Sequence, residues 1–206
     1  MTLPVPSQVP VVEAVFPLEG KTLPRDYAQA LMHALVERLP WLKEDVGAGI
    51  HPLKLVTGPE SVAMLSRRTR LILRVNANRL DELNAMAGVP LDVAGHVLRL
   101  GLVHQRHLQP LATLYAYRVV ADSADETHFM ATMETELTGL AITGERVCGK
   151  RQSLHRDGQD MTTFSMMLHG LVPEQSLRLQ QHGLGQHRLL GCGLFVPHKS
   201  AAAVGV

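Results

Sequence analysis

Two kinds of periodicity alternate along this chain, and their order repeats. Residues 9–18, VPVVEAVFPL, are rich in β-branched side chains and read as a strand. GKTLP at 20–24 reads as a turn. From Arg25 the period changes: Ala28, Leu31, Met32, Leu35 and Leu39 recur at the spacing of one helix face, with Pro24 near the first turn and Pro40 at the end. Gln29, His33 and Glu37 line the opposite face. After a Gly-rich loop, IHPLKLV at 50–56 predicts a short strand. TRLILRV at 69–75 predicts another, with Leu71, Leu73 and Val75 on a buried face and Arg70, Ile72 and Arg74 on the other. RLDELNAMAG at 79–88 reads as a short helix, and LDVAGHVLRLGLV at 91–103 as extended chain with a turn at Gly95.

The second half runs through the same order. LATLYAYRVV at 111–120 is a strand and DETHFMATMETELTGL at 125–140 a helix. ERVCGKRQSL at 145–154 and MTTFSMMLHGL at 161–171 form a hairpin through the turn sequence HRDGQD. PEQSLRLQQHG at 173–183 is a helix, and GCGLFVP at 191–197 the last strand. Two successive βαββαβ units predict an α+β chain of two tandem ferredoxin-like, RRM-like modules, each an antiparallel sheet backed by helices. The break falls at HQRHLQP, 104–110, which gives modules 1–107 and 108–206. The duplication is one of topology, without a residue-level repeat; a single larger α+β domain is the alternative.

A chain of 206 residues with 46% apolar side chains can bury a core, and only 4% aromatics means that core is Leu, Val, Ala and Met. The net charge of +1 selects no partner, but its distribution does: residues 67–106 hold seven arginines against three acids. Cys148 and Cys192, far apart, exclude a disulfide framework or a paired-Cys zinc site and fit a reducing cytoplasm. No apolar run reaches membrane-spanning length and the first residues lack a signal peptide's pattern, so a soluble cytoplasmic protein is expected.

The most unusual stretch is GLGQHRLLGCGLF, 183–195, with Gly183, Gly185, Gly191 and Gly193 in two pairs around basic residues. It lacks the third glycine of a dinucleotide fingerprint and follows a helix instead of opening one. It has no GK[ST] either. A helix cap at Gly183 and a turn into the last strand explain one or two of these glycines and leave the paired spacing without a reason.

GhGxxxxxGhG just before the last strand resembles the glycine-rich loop of the CRISPR-associated RAMP superfamily. FPLEGKTLPRDYAQAL (16–31), GIHPL (49–53), LDVAGHVLRLG (91–101) and SLRLQQHGLGQHRLLGCGLFVPHK (176–199) resemble its myxan-type subfamily of precursor-crRNA processing endoribonucleases. The resemblance implies metal-independent cleavage of the precursor within each repeat by 2′-hydroxyl attack, with the product retained. A non-catalytic guide-RNA-binding subunit of an effector complex is the alternative. Its partners would be CRISPR repeat RNA and other effector subunits, and its cofactors none.

In that setting the loop glycines, with His187 and Arg188 between them, would let main chain approach RNA phosphates. Relatives carry the catalytic group on the first helix or in the loop after it, which points to His51, framed by Gly and Pro, to His33, and to Tyr27 as a positioning group. Where the resemblance implies histidine at positions 27 and 43, this chain has Tyr27 and Lys43. Arg67, Arg68 and Arg70, with Arg74 in the same run, and Lys150, Arg151 and Arg156 would follow the RNA backbone. His198 and Lys199 would approach the phosphate at the cut. Neither His104 with His107 nor His182 with His187 has a carboxylate or Cys partner at familiar spacing, so no metal site is expected. No aromatic signature of an RNA-reading sheet is legible, and the acidic helix around Asp125, Glu126, Glu134 and Glu136 is expected to face solvent or a basic subunit.

Overall fold

The computed structural model describes residues 9–59 and 61–198. In chain order its elements are β1 (Val11–Glu19), β2 (Thr22–Pro24), α1 (Ala28–Arg38), β3 (Gly49–Ile50), β4 (Val56–Thr57), β5 (Val62–Met64), β6 (Arg70–Asn76), α2 (Leu80–Asn84), β7 (Pro90–Val93), β8 (His96–Leu100) and β9 (His104–His107). There follow β10 (Leu114–Val120), α3 (Glu126–Gly139), β11 (Glu145–Arg156), β12 (Gln159–His169), α4 (Pro173–His182) and β13 (Phe195–Pro197). None of the helices described is long and apolar enough to cross a membrane.

The first sheet runs β9–β1–β6–β3, every pair antiparallel. The second runs β13–β10–β12–β11, again antiparallel throughout. Each is the fourth–first–third–second order of a ferredoxin-like unit, so the tandem arrangement read from the sequence is present. Two insertions decorate the first: the β7–β8 hairpin, which extends the end of β1, and a small β2–β5–β4 sheet. Each large sheet has its own core. Leu31, Ala34, Leu35 and Val36 of α1 pack with Leu71, Leu73 and Val75 of β6 in the first, and Phe129, Met133 and Leu137 of α3 with Phe164, Met166 and Leu168 of β12 in the second. Asp125 starts α3 by accepting the Thr127 amide at 2.8 Å.

Several local expectations give way. The 20–24 turn contains β2, paired to β5. IHPLKLV is not one strand: β3 stops at Ile50, because Pro52 has no N–H for a ladder. His104–His107, placed at the break, is an edge strand on β1 with four exposed side chains, and therefore carries no alternation to read. β10 does present an aromatic pair, Tyr115 and Tyr117, ring edge to face at 5.1 Å.

The largest departure is Arg74. It sits on the face expected to meet solvent, yet it is 0% exposed. Across the sheet Arg106 of β9, Glu13 of β1 and Arg74 of β6 are register partners in one row. Glu13 accepts from Arg74 Nη2 at 2.8 Å and from Arg106 Nε at 2.7 Å. Arg74 Nη1 then donates to the carbonyls of Gln180 at 2.8 Å and Phe195 at 2.9 Å, both in the second half of the chain. The face of the first sheet that the alternation left open is covered by the second half, and this guanidinium spans the seam.

Removing one partner of a buried ion pair strands the other. Arg74→Met should therefore lower stability by about 3 to 5 kcal/mol, read as a shift in the urea unfolding midpoint. A shift below about 1 kcal/mol would mean the seam holds without it.

Candidate active site

The glycine loop leaves the end of α4 and returns to β13. Its first and last glycines face each other. Gly183 and Gly193 have φ of +68° and +67°; a Cβ on Gly193 would collide with the Leu184 carbonyl and one on Gly183 with the Gly193 carbonyl. Leu184 N–H donates to Gly193 O at 3.2 Å, and Gly193 N–H to Arg118 O at 2.7 Å. These two glycines let the loop close on itself, a role in internal packing where the sequence suggested room for RNA. Cys192, between the last pair, is fully buried, and burial pushes its thiol up to about 11.

The loop is also held from outside. Arg188, expected to face RNA, is buried: its guanidinium donates to the His182 carbonyl and, at 2.8 Å, to that of Gly47 in the first half. Burial, with Arg74 nearby, lowers its pKa to about 10. Gly185 N–H donates to Glu136 Oε2 at 2.7 Å, so the acidic helix α3 braces the loop. Gly191 approaches Pro52, after β3.

Three elements converge on this rigid loop. Leu154 of β11, Leu190 and Cys192 of the loop, and Ala28 and Met32 of α1 share a small apolar cluster with Val120. Above it the β11–β12 tip reaches back to α1. Gln29 and Asp157 exchange two hydrogen bonds: Asp157 N–H donates to Gln29 Oε1 at 3.0 Å, and Gln29 Nε2 donates to Asp157 Oδ1. Arg156 Nε donates to Asp157 Oδ2 at 3.0 Å, while its Nη1 sits 2.9 Å from His187 Nδ1. His187 itself holds a left-handed φ of +64°, uncommon for a residue with a side chain. Partial burial and then the Arg156 charge lower its pKa and favour the neutral imidazole. His33 is exposed on α1 one turn beyond Gln29, and its charge contributes to lowering Asp157. Met32, Lys43, Arg156, His187 and Arg188 line a cavity of about 410 Å³ here.

The other residues singled out from sequence lie elsewhere. His51, expected to aim at a ligand from an open loop, is buried behind α1, with Nε2 3.4 Å from Glu13 Oε1 and no hydrogen bond. Burial, reinforced by Arg74, drives its pKa to about 3, so it stays neutral. Burial would raise Glu13, but the guanidinium groups of Arg74 and Arg106 outweigh it and hold the carboxyl below its usual range. Tyr27 accepts the Leu53 amide at 2.6 Å through its hydroxyl, and burial raises its pKa. His51 and His198 meet in a second cavity of about 390 Å³ between the two sheets, lined also by Arg106, Tyr115 and Tyr117. Arg67, Arg68 and Arg70 are exposed before and at the start of β6. Lys150 and Arg151 are exposed on edge strand β11, where a bulge between Cys148 and Arg151 re-aims them. Lys199 lies outside the described residues. Among the described residues no three His, Cys, Asp or Glu side chains gather as metal ligands would. Sequence reasoning missed Asp157 and Gln29: the pair is 128 positions apart, and only the D-G turn hinted where the tip would fall.

The family model described as Cas6 Crispr matches residues 12–200. The chain is 34% identical over 194 residues to the CRISPR-associated endonuclease Cas6 of Myxococcus xanthus strain DK1622, covering 94% of this chain and 84% of that one. A solved CRISPR associated protein Cas6 superposes with a TM-score of 0.65 at 9% identity, over 92% of this chain and 99% of that one. Thermus thermophilus Cse3, solved bound to an RNA representing a pre-cleavage complex, gives 0.53 at 15% identity, over 90% and 98%. At such identities the two solved structures speak to the fold alone.

Gly193→Ala should cost about 1 to 3 kcal/mol from its left-handed backbone and the Leu184 carbonyl, and should abolish hydrogen-exchange protection of the Leu184 amide. Retained protection would contradict the packing role. His51 gives a pH signature. The unfolded chain takes up its proton below about 6.5, the folded one only near 3, so stability is complete above the first value and falls as pH drops toward the second. His51→Asn should lessen the stability loss between pH 7 and pH 5 in urea unfolding; an unchanged loss would contradict the buried neutral state.

Proposed function

This chain belongs to the Cas6 family of CRISPR proteins, and from that premise we propose that it cuts CRISPR precursor RNA within the repeat, in the cavity where α1, the β11–β12 tip and the glycine loop meet. The observation that carries the reading is the run of contacts from Gln29 of α1 through Asp157 and Arg156 of the tip to His187 of the loop, with His33 one turn beyond Gln29 on the same helix face. The 34% identical relative is an endonuclease, which favours cutting over RNA binding alone.

The reaction is transfer of the phosphate within the ribose. The 2′-oxygen attacks the neighbouring phosphorus, the bond from phosphorus to the 5′-oxygen breaks, and a 2′,3′-cyclic phosphate forms. One proton leaves the 2′-hydroxyl and one reaches the departing 5′-oxygen, so no metal is needed to balance the step. His187, favoured in its neutral form, takes the first proton. Arg156 caps that imidazole in the free protein; an incoming phosphate is the better acceptor and draws the guanidinium onto itself. His33, beside the Asp157 carboxylate, delivers the second proton. Arg156 and Lys43 offset the charge of the crowded phosphorane. Tyr27 and His51, named from the sequence as catalytic, form the floor that fixes α1 against the first sheet.

The RNA leaves the cavity along β11, past Arg151 and Lys150, and along the Arg67, Arg68 and Arg70 surface, with His198 in the cleft between the sheets. The loop, from Gly183 to Gly193, supplies a preformed wall; its glycines act on RNA through the conformation they permit, Gly185 and Gly191 included. We read modules 1–107 and 108–206 from the two cores, cytoplasmic action, and retention of the product among effector subunits.

Repeat RNA incubated with the protein in excess chelator should be cut once, leaving a cyclic or 3′-phosphate end. His33→Ala should slow single-turnover cleavage by about 10²- to 10⁴-fold with RNA affinity kept. Cleavage abolished by chelator, or unaffected in the variant, would overturn the proposal.

A further inference from the structure

Asp157 belongs to none of the roles above, although it sits in the middle of them. Its backbone is left-handed, at φ +50°, in the two-residue turn with Gly158 that closes β11 onto β12. Its N–H and one carboxylate oxygen are both taken by Gln29, and the other oxygen by Arg156. A simple hairpin turn needs none of these bonds to the other half of the chain. They fasten an otherwise exposed tip across the polar face of α1.

We propose that Asp157 is a positioning residue for the cleavage reaction: clasped by Gln29, it keeps Arg156 beside the site, ready to turn from His187 onto an incoming phosphate, and lays a fixed negative charge beside His33. The inference rests on the reading of His33 as the proton donor. Gln29 and His33 are one turn apart on the same helix face, so an anion docked on the first lies alongside the second. Glu37 lies one turn further along the helix that carries His33, Asp157 and Arg156 are on the tip that docks on Gln29, and Lys43, Asp45, His187 and Arg188 line the adjoining cavity with Arg156. Of the three acids, Asp157 alone is hydrogen-bonded to α1, while Asp45 accepts from the Gly47 amide and Asn76. Gln29's amide donation, and after it Arg156 and the charge of His33, hold the carboxyl below its usual range, so it is ionised at neutral pH.

Neutralising the carboxylate removes the anion that the clasp lays alongside His33. It also releases Arg156 from one of its anchors. Neither change removes positive charge from the RNA surface.

Asp157→Asn is the discriminating variant. Asparagine accepts the left-handed backbone and keeps an oxygen for Gln29, so the turn survives while the charge is lost. Single-turnover cleavage at saturating repeat RNA should fall about tenfold, with RNA affinity equal or tighter. Gln29→Ala, which frees the tip but keeps the charge, should lower the rate at saturation without weakening binding. A wild-type rate at saturation in Asp157→Asn would overturn the proposal, as would a defect confined to RNA affinity. His33→Ala run in parallel separates the two layers: cleavage lost there but normal in Asp157→Asn sinks this inference alone, whereas cleavage intact in His33→Ala sinks the reading beneath it.

Discussion

A guanidinium with no exposed surface must find its partners inside the protein, and the two terminal nitrogens of Arg74, though not its Nε, find them on both sides of the seam. Glu13 neutralises it within the first sheet; two main-chain carbonyls, of Gln180 and Phe195, receive it from the second half. Those carbonyls flank the glycine loop, one near the end of α4 and one at the start of β13. The same bonds that join the two ferredoxin-like units therefore fix where the loop begins and ends. Arg188 repeats the device from the opposite direction, reaching from the loop to the Gly47 carbonyl. Such bonds are geometrically demanding, and a buried charge left without them is costly. The relation between α1 and the loop is thus set by two arginines rather than by apolar area alone.

On that mounting the site is assembled from rigid parts. The loop is closed by Gly183 against Gly193 and braced by Glu136. The β11–β12 hairpin, with strands of 12 and 11 residues, is long enough to project its tip back over the first half. Beneath the tip lies the apolar cluster of Leu154, Leu190, Cys192 and Met32. The polar groups above it divide in character. His187 is partly buried beside an arginine, while His33 is exposed beside a carboxylate. In the mechanism proposed above, such opposed surroundings of the two imidazoles suit a reaction that removes one proton and supplies another.

Much of this was legible in the chain. The repeats of Leu31, Leu35 and Leu39, and of Phe129, Met133 and Leu137, mark helices because each buries one face. The turn at Asp157 and Gly158 marks its hairpin, because few residues accept a left-handed backbone. The paired glycines marked a stretch of main chain that must be free of side chains, but spacing does not reveal what presses there: at Gly183 and Gly193 it is the loop's own carbonyls. Arg74 and Arg188 looked like surface charge: alternation shows that a strand has two faces, not that a second sheet covers the other. His51 misled in the same way, for Gly and Pro around a histidine describe a loop and say nothing of its depth. The strand at His104–His107 was invisible because an edge with every side chain exposed has no pattern.

The central claim is that strand scission takes place where α1, the hairpin tip and the glycine loop meet, and not in the cleft between the two sheets. The most direct measurement is a structure of the protein with repeat RNA whose attacking 2′-hydroxyl is replaced by hydrogen. The scissile phosphate should lie within hydrogen-bond reach of Arg156, with His33 and His187 on either side of it. A phosphate found instead against His51 and His198, between Tyr115 and Arg106, would contradict the account.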